Sequence, residues 1–312
     1  MLTPRADDRA AHVIAVPASV ANLGPGFDTL AVAVQLYLRV RVVDVQRDGR
    51  GLFVVRHSTP PVPAENGVER AYRLLAARAA DGLPSVVVDI ESEIPVGAGL
   101  GSSAAATIAG LRLFEYCVAP LTRQELLDAS TSLEGHPDNA AAAIDGGLTA
   151  ALQHEDGRIS AVSLPWPEEI RLLVATPDRE LRTEAARKVV PTSYSRADAV
   201  FNLQRVARLM HAVACGDAAS LGEALKDRWH QPARAALIPE LGPALALQDP
   251  DLLGVCLSGA GPSIVAFAMR GFERIAGQLE RVYRECGSVV TIRNVCAEPA
   301  RVALPALASR DR

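Results

Sequence analysis

Two α+β halves with a ligand cleft between them are the architecture this sequence predicts. Three observations carry it: β-branched runs interleaved with amphipathic helical stretches, a Pro165-Trp166-Pro167 break near the middle of 312 residues, and a glycine-rich loop between a strand and a helix. The length permits two domains, and prolines on either side of a lone Trp interrupt any regular element.

Taken in order, His12 to Val16 and Leu38 to Val45 read as strands. In the second, Leu38, Val40 and Val42 fall on one face and Arg39, Arg41 and Val43 on the other, the period of two of a half-buried strand. Asn66-Gly67 opens an amphipathic helix with Val68, Ala71, Leu74, Leu75 and Ala79 inward and Asp81-Gly82 as its stop. A strand over 86–90 leads into the glycine loop and an alanine-rich helix. Thr122, with Glu125 three residues on, makes a capping box for a helix running to Leu133. Past the break, Arg171 to Ala175 reads as a strand. Ala197 to Ala214 reads as a helix with Val200, Leu203, Val206, Met210 and Val213 on one stripe and Gly216 as its stop. Ala218 to Trp229 reads as helical. Strands over Leu253–Leu257 and Ser263–Met269 flank a turn from Ser258 to Pro262, and a helix over 272–285 and a strand over 288–295 close the second half.

Hydrophobic residues at 49% supply ample core, and aromatics at only 4% mean that Ala, Val, Leu and Ile build it. A net charge of −4 gives no electrostatic footprint for nucleic acid. Five widely spaced cysteines, odd in number and without a Cys-x-x-Cys pair, argue against a disulfide framework or a zinc site. Buried free thiols in a reducing compartment are expected instead. The start lacks the apolar core of a signal peptide, and no run of about 18 apolar residues is present to span a membrane. The expected location is cytoplasmic.

The chemistry gathers at Pro95-Val96-Gly97-Ala98-Gly99-Leu100-Gly101-Ser102-Ser103. Glycines let a backbone turn tightly against a ligand, serine is a favoured helix N-cap, and the free N–H groups of a first helical turn receive anions. The segment therefore reads as a phosphate cradle with hydroxyls in reach of a phosphate-bound Mg²⁺. Taken alone, the same strand–loop–helix also serves plain tight packing. The lysine of a Walker A loop is missing, and about 20 residues beyond the loop stands Leu121-Thr122-Arg123 rather than the acidic residue of a dinucleotide fold.

Two further segments decide between these readings. Pro17 to Leu30 contains Asn22-Leu23-Gly24-Pro25-Gly26-Phe27-Asp28, and Leu257 to Ser263 reads Leu-Ser-Gly-Ala-Gly-Pro-Ser. In order, spacing and wording the three segments resemble the three motifs of the GHMP kinases, the superfamily of galactokinase, homoserine kinase, mevalonate kinase and phosphomevalonate kinase. Glu134-Gly135-His136-Pro137-Asp138-Asn139, running on into Gly146-Gly147, is most similar to the homoserine kinases. So are Thr183 to Pro191, with Arg187, and His230-Gln231-Pro232-Ala233-Arg234. The resemblance spans Val13 to Val295, with small departures at Val16, Val20 and Ala31.

The resemblance implies a two-domain α+β fold. Its N-terminal half is like the second domain of ribosomal protein S5 and spans 12–164, its C-terminal half is ferredoxin-like and spans 168–297, and the active site lies in the cleft between them. Residues 1–11 and 298–312 are expected as mobile tails. It implies ATP on the 95–103 loop with Gly259 and Gly261, and Mg²⁺ on Glu134 with Ser102 or Ser103. It implies L-homoserine among Asn22, Asp28, His136, Asn139, Arg187 and Arg234, with Asp28 facing the ammonium and the arginines forming a carboxylate clamp. Asn139 would position the hydroxyl and Thr183 the hydroxyl or the γ-phosphate; Asp138 stands where some GHMP kinases place a catalytic aspartate, whereas homoserine kinases are thought to manage without an evident base. The implied reaction is ATP-dependent phosphorylation of homoserine for threonine biosynthesis. The alternatives are a GHMP kinase for another small alcohol, of mevalonate or sugar type, or a catalytically silent binding protein of the same fold. No nucleic-acid or membrane partner is expected, and a homodimer is one assembly the sequence allows.

Overall fold

The computed structural model describes residues 12–62 and 66–301. The N-terminal half runs β1 (Val13–Ala21), β2 (Leu30–Gln46), β3 (Phe53–Thr59), α1 (Gly67–Leu74), β4 (Ser85–Ser92), α2 (Ser102–Cys117), α3 (Arg123–Glu134), α4 (Asp138–Asp145), β5 (Leu148–Gln153) and β6 (Ile159–Leu164). The C-terminal half runs β7 (Arg171–Pro177), α5 (Thr183–Lys188), α6 (Arg196–Cys215), α7 (Leu221–Ala224), α8 (His230–Arg234), α9 (Leu241–Leu245), β8 (Leu252–Leu257), β9 (Ile264–Ala268), α10 (Phe272–Glu285) and β10 (Val290–Val295).

The 17-residue β2 is the spine of a six-stranded sheet ordered β3-β4-β2-β5-β6, with β1 also paired to β2. The β1 register slips between Pro17 and Ala18, where proline has no N–H to give the ladder. Helix α2 packs on this sheet with Ala104, Ala105, Ile108, Ala109, Leu111 and Phe114 buried. Its small side chains admit close neighbours: a Cβ at Gly110 would lie 2.2 Å from the Val68 carbonyl of α1. The C-terminal sheet is antiparallel in the order β10-β7-β9-β8, the split βαβ arrangement of ferredoxin-like folds. Helix α10 covers it with Ile275, Leu279, Val282 and Tyr283. Among the described residues no helix is long and apolar enough to cross a membrane.

Several elements differ from the sequence expectation. Strand β2 begins at Leu30 rather than Leu38, and β3, β5, β6 and the helix α4 were not foreseen. Helix α1 ends at Leu74, whose side chain is exposed, and gives way to a 3₁₀ turn at Ala76–Arg78. On α6 the buried face is Asn202, Leu209, Ala212 and Val213, while Val200 and Leu203 are exposed. The periodicity was right in kind but rotated, because Asn202 turns inward to donate to Asp227 at 2.7 Å. The helix expected over Ala218–Trp229 breaks after α7. Asp227 accepts the N–H groups of Trp229, His230 and Gln231 and restarts the chain as α8. All five cysteines are free, but only Cys117 and Cys256 are buried, and Cys215 is exposed.

The expected C-terminal tail also needs correction. Glu298 to Arg301 returns to the N-terminal half, with Glu298 N–H donating to Ala33 at 2.8 Å and Arg301 N–H to Asp145 at 2.6 Å. The Tyr37 hydroxyl donates to the Glu298 carboxylate at 2.6 Å. An open edge of backbone groups beside Ala33 and Gly147 recruits these residues. The tail expectations for 1–11 and 302–312 lie outside the described residues.

Candidate active site

The glycine loop is built by both halves. Gly97, Gly99 and Gly101 adopt φ of +64°, +75° and +70°, the left-handed region that side chains disfavour. Gly99 is also pressed against the other half: a Cβ there would lie 2.3 Å from the Ser258 carbonyl. The Ser258 hydroxyl donates to the Gly99 carbonyl at 2.7 Å, Ser263 N–H to Ala98 at 3.2 Å and Leu181 N–H to Gly97 at 3.0 Å. Gly101, not a serine, is the N-cap of α2, and it caps without a side chain. Ser102 and Ser103 therefore stand inside the first turn, whose N–H groups have no partner within the helix, and their hydroxyls are released from capping.

One cleft of about 210 Å³ lies at this junction. It brings together Asn22, Asp28, Val96, Gly97, Gly99, Gly101, Ser102, Ser103, Glu134, His136, Asp138, Asn139, Thr183, Arg187, Arg234 and Gly259. Four of the residues expected on ATP do not line it: Pro95, Ala98, Leu100 and Gly261. Ala98 and Leu100 are buried behind the loop, and Gly261 faces Ile238, so these support the cradle from the rear.

Beside the first turn of α2 stands Glu134, the last residue of α3. It is no open surface carboxylate, since its side chain is 8% exposed. It accepts hydroxyl hydrogens from Ser103 at 3.0 Å and from buried Thr107 at 2.7 Å. Thr107 escaped the sequence reading, although it sits four residues after Ser103, hence on the same face of α2. Among the described residues no cluster of three or more His, Cys, Asp or Glu could cage a metal. One carboxylate flanked by hydroxyls is nonetheless a hard-oxygen set that fits Mg²⁺, which keeps its waters and shares phosphate oxygens.

Deeper in, Asp138 Oδ1 accepts from His136 Nδ1 at 2.9 Å and from Asn139 N–H at 2.7 Å, leaving Oδ2 without a protein partner among the described residues. Burial disfavours the His136 cation, but the Asp138 hydrogen bond and charge outweigh it and raise the imidazole pKa. The Asn139 side-chain oxygen is taken by the Ser19 hydroxyl at 2.8 Å, and its Nδ2 donates to Asp138 Oδ1 at 3.3 Å, with a second N–H left over. Asn22 is committed at both ends: Nδ2 donates to the Gly259 carbonyl at 2.9 Å and Oδ1 accepts from Asp28 N–H at 3.0 Å. It ties the first motif to the third.

The far wall is cationic. Arg187 makes a two-pronged pair with Asp28 at 3.0 and 2.7 Å, which strengthens its hold on its proton. Arg234 is 2% exposed and has no such carboxylate partner among the described residues. Its Nε donates to the Ala186 carbonyl at 3.1 Å and its Nη1 to the Gly259 carbonyl at 2.9 Å, with His230 Nδ1 at 3.0 Å. Burial, reinforced by the charge of Arg187, pulls its pKa down to about 10, still cationic near neutrality. Both guanidinium groups lie over the Phe27 ring, at 5.6 and 5.3 Å from its centroid.

A second cavity of about 250 Å³ opens beside the first and shares Val96, Ser102 and Ser103 with it. Leu38, Pro60, Pro61, Val62, Val68, Ile90 and Ala106 give it an apolar lining. The sequence reading missed it, because its walls come from segments spread between Leu38 and Ala106, each contributing only a few residues.

Comparison with known proteins agrees with these motifs. The family description "GHMP kinases N terminal domain" matches residues 66–147, and "GHMP kinases C terminal" matches 208–286. The chain is 41% identical over 281 residues to a homoserine kinase of Solibacter usitatus, covering 86% of this chain and 89% of that protein. It is 38% identical over 262 residues to a homoserine kinase of a Synechococcus species, covering 82% and 85%. Among solved structures, homoserine kinase from Cytophaga hutchinsonii superposes with a TM-score of 0.79 at 23% identity, over 96% of this chain and 98% of that one. The L. major mevalonate kinase in complex with R-mevalonate superposes with a TM-score of 0.69 at 17% identity, over 97% and 100%.

Proposed function

We propose, from the premise that this chain belongs to the GHMP kinase family and stands among its homoserine kinases, that its cleft phosphorylates L-homoserine. The donor is ATP and the product is O-phospho-L-homoserine, an intermediate of threonine biosynthesis. One observation carries the acceptor assignment: Arg234 is a buried cation with no carboxylate of its own among the described residues, beside the Asp28–Arg187 pair. A buried unpaired charge is costly, and a zwitterionic amino acid supplies the missing anion while its ammonium meets Asp28.

Phosphoryl transfer depends on alignment and charge neutralisation. The glycine loop and the first turn of α2 hold the phosphates. Glu134 and a serine hydroxyl hold Mg²⁺, which supplies charge neutralisation at the phosphates when bound. Arg187 and Arg234 fix the homoserine carboxylate, and Asn22 holds Asp28 and Gly259 in place for them. Asn139 Nδ2 and Thr183 orient the side-chain hydroxyl toward the phosphate end. Asp138 Oδ2, free of protein donors among the described residues, accepts the hydroxyl hydrogen, with His136 fixing the other carboxylate oxygen. The apolar cavity takes the nucleoside.

An ADP-release assay with homoserine, mevalonate, galactose and no acceptor tests this reading. Turnover is expected with homoserine and background with the rest. Equal turnover of mevalonate, or none of homoserine, refutes it.

A further inference from the structure

A phosphate loop without a lysine leaves a charge problem, because a nucleoside triphosphate brings more negative charge than one divalent cation and a helix terminus offset. The two arginines of the cleft stand on the acceptor side, one of them already paired with Asp28. A third arginine lies elsewhere. Arg70, on α1, lines the apolar cavity together with Ser102 and Ser103. Its guanidinium is 3.9 Å from Glu134 Oε1, too far for a hydrogen bond, and its side chain is 48% exposed. Its neighbour Arg73 is held by Glu69 at 2.9 Å, whereas Arg70 has no closer carboxylate among the described residues. Arg70 thus stands where the two cavities meet. A nucleotide with its base in the apolar cavity and its phosphates on the loop must pass that point.

We propose that Arg70 is a polyphosphate-binding residue, supplying from α1 the cation that the glycine loop does not carry. The inference rests on the ATP reading given above. A guanidinium fork matches two phosphate oxygens, and a long, half-exposed side chain near Glu134 needs only rotamer changes to reach them.

The test compares ADP with adenosine, which lacks phosphates, by calorimetry on the wild type, Arg70→Gln and Arg70→Lys. ADP affinity is expected to fall about tenfold to a hundredfold in Arg70→Gln, the scale of a lost charge-assisted contact, and less in Arg70→Lys. Adenosine affinity should stay unchanged in both. Equal losses for the two ligands mean that Arg70 only shapes the base cavity, and an unchanged ADP affinity means that it does not touch phosphate; either overturns the proposal. A wild type that binds neither ligand refutes the ATP reading itself, a distinct result. If Arg70→Gln does not fold, Arg70→Lys carries the same comparison, with ADP weakened severalfold and adenosine untouched.

Discussion

Replacing Arg234 by Met separates recognition of a carboxylate from the upkeep of the cleft. The substitution keeps most of the side chain's length and removes the charge. Losing one charge-assisted contact with the acceptor should cost about 1.5–3 kcal/mol, which raises the homoserine KM by roughly tenfold to 150-fold. The fold bears opposing effects. The Ala186 carbonyl and His230 Nδ1 lose a donor, at about 1–3 kcal/mol for each group left unsatisfied, while the Gly259 carbonyl keeps its Asn22 Nδ2 donor. Against this, burial holds the guanidinium pKa near 10 rather than 12.5, so removing the charge returns roughly 3 kcal/mol. The variant should therefore fold with modestly reduced stability. The assay uses homoserine beside 3-amino-1-propanol, which is homoserine without its carboxylate. Wild type should discriminate strongly between them and Arg234→Met weakly, because enzyme and substrate lose the same contact. If the variant impairs both acceptors equally, or lowers ATP affinity as much as homoserine affinity, Arg234 does not read the carboxylate.

Other outcomes follow from the same geometry. Glu134→Gln should lower kcat about a hundredfold or more, the scale for losing an electrostatic partner of the transition state, with little change in the homoserine KM; near wild-type kcat at saturating Mg²⁺ excludes it as the metal ligand. Gly99→Ala adds a Cβ 2.3 Å from the Ser258 carbonyl at φ +75°, whereas Gly216→Ala at φ +68° meets nothing within 4 Å. Nucleotide affinity, by calorimetry, should collapse only in the first, and thermal unfolding should show the larger loss there; equal effects refute the clash argument. His230 is fully buried, donates from Nε2 to the Gly24 carbonyl and accepts from Arg234 at Nδ1, and burial lowers its pKa from 6.5 to about 4. The unfolded chain takes up a proton near pH 6.5 that the folded chain refuses until about 4, so stability falls as pH falls through that window, by up to roughly 3 kcal/mol. Denaturant unfolding from pH 7 to 4.5 should show this component in wild type and not in His230→Gln; identical pH slopes contradict it.

What the sequence revealed depended on how local the causes were. The Thr122–Glu125 capping box and the helix over 272–285 are set within one turn or one short segment, and both formed as read. The α6 stripe was misplaced because tertiary partners chose the face: Asn202 is buried for Asp227, a residue 25 positions away. Strands β5 and β6 went unseen because Leu152 and Val162, apolar but exposed, blur the alternation that marks a strand. At the cleft, residue types announced the carboxylates and arginines but not their pairing. That Arg187 already holds Asp28, 159 positions earlier, while Arg234 has no carboxylate partner among the described residues, depends on how the halves meet. The apolar cavity follows the same rule, since no single segment carries its shape.

The bonds from Leu181, Ser258 and Ser263 to the carbonyls of Gly97, Gly99 and Ala98 make the glycine loop shared property. Neither half expressed alone carries a finished cradle, so a split or swapped chain must restore the seam before it can regain nucleotide affinity. The same seam makes the loop a reporter: an alteration at the Ser258 turn, however far from the base cavity, should be felt first as a change in phosphate affinity. In recombining halves from two relatives, the residues to keep together are therefore those of the glycine loop and the Ser258–Ser263 turn, across a boundary that the chain order does not mark.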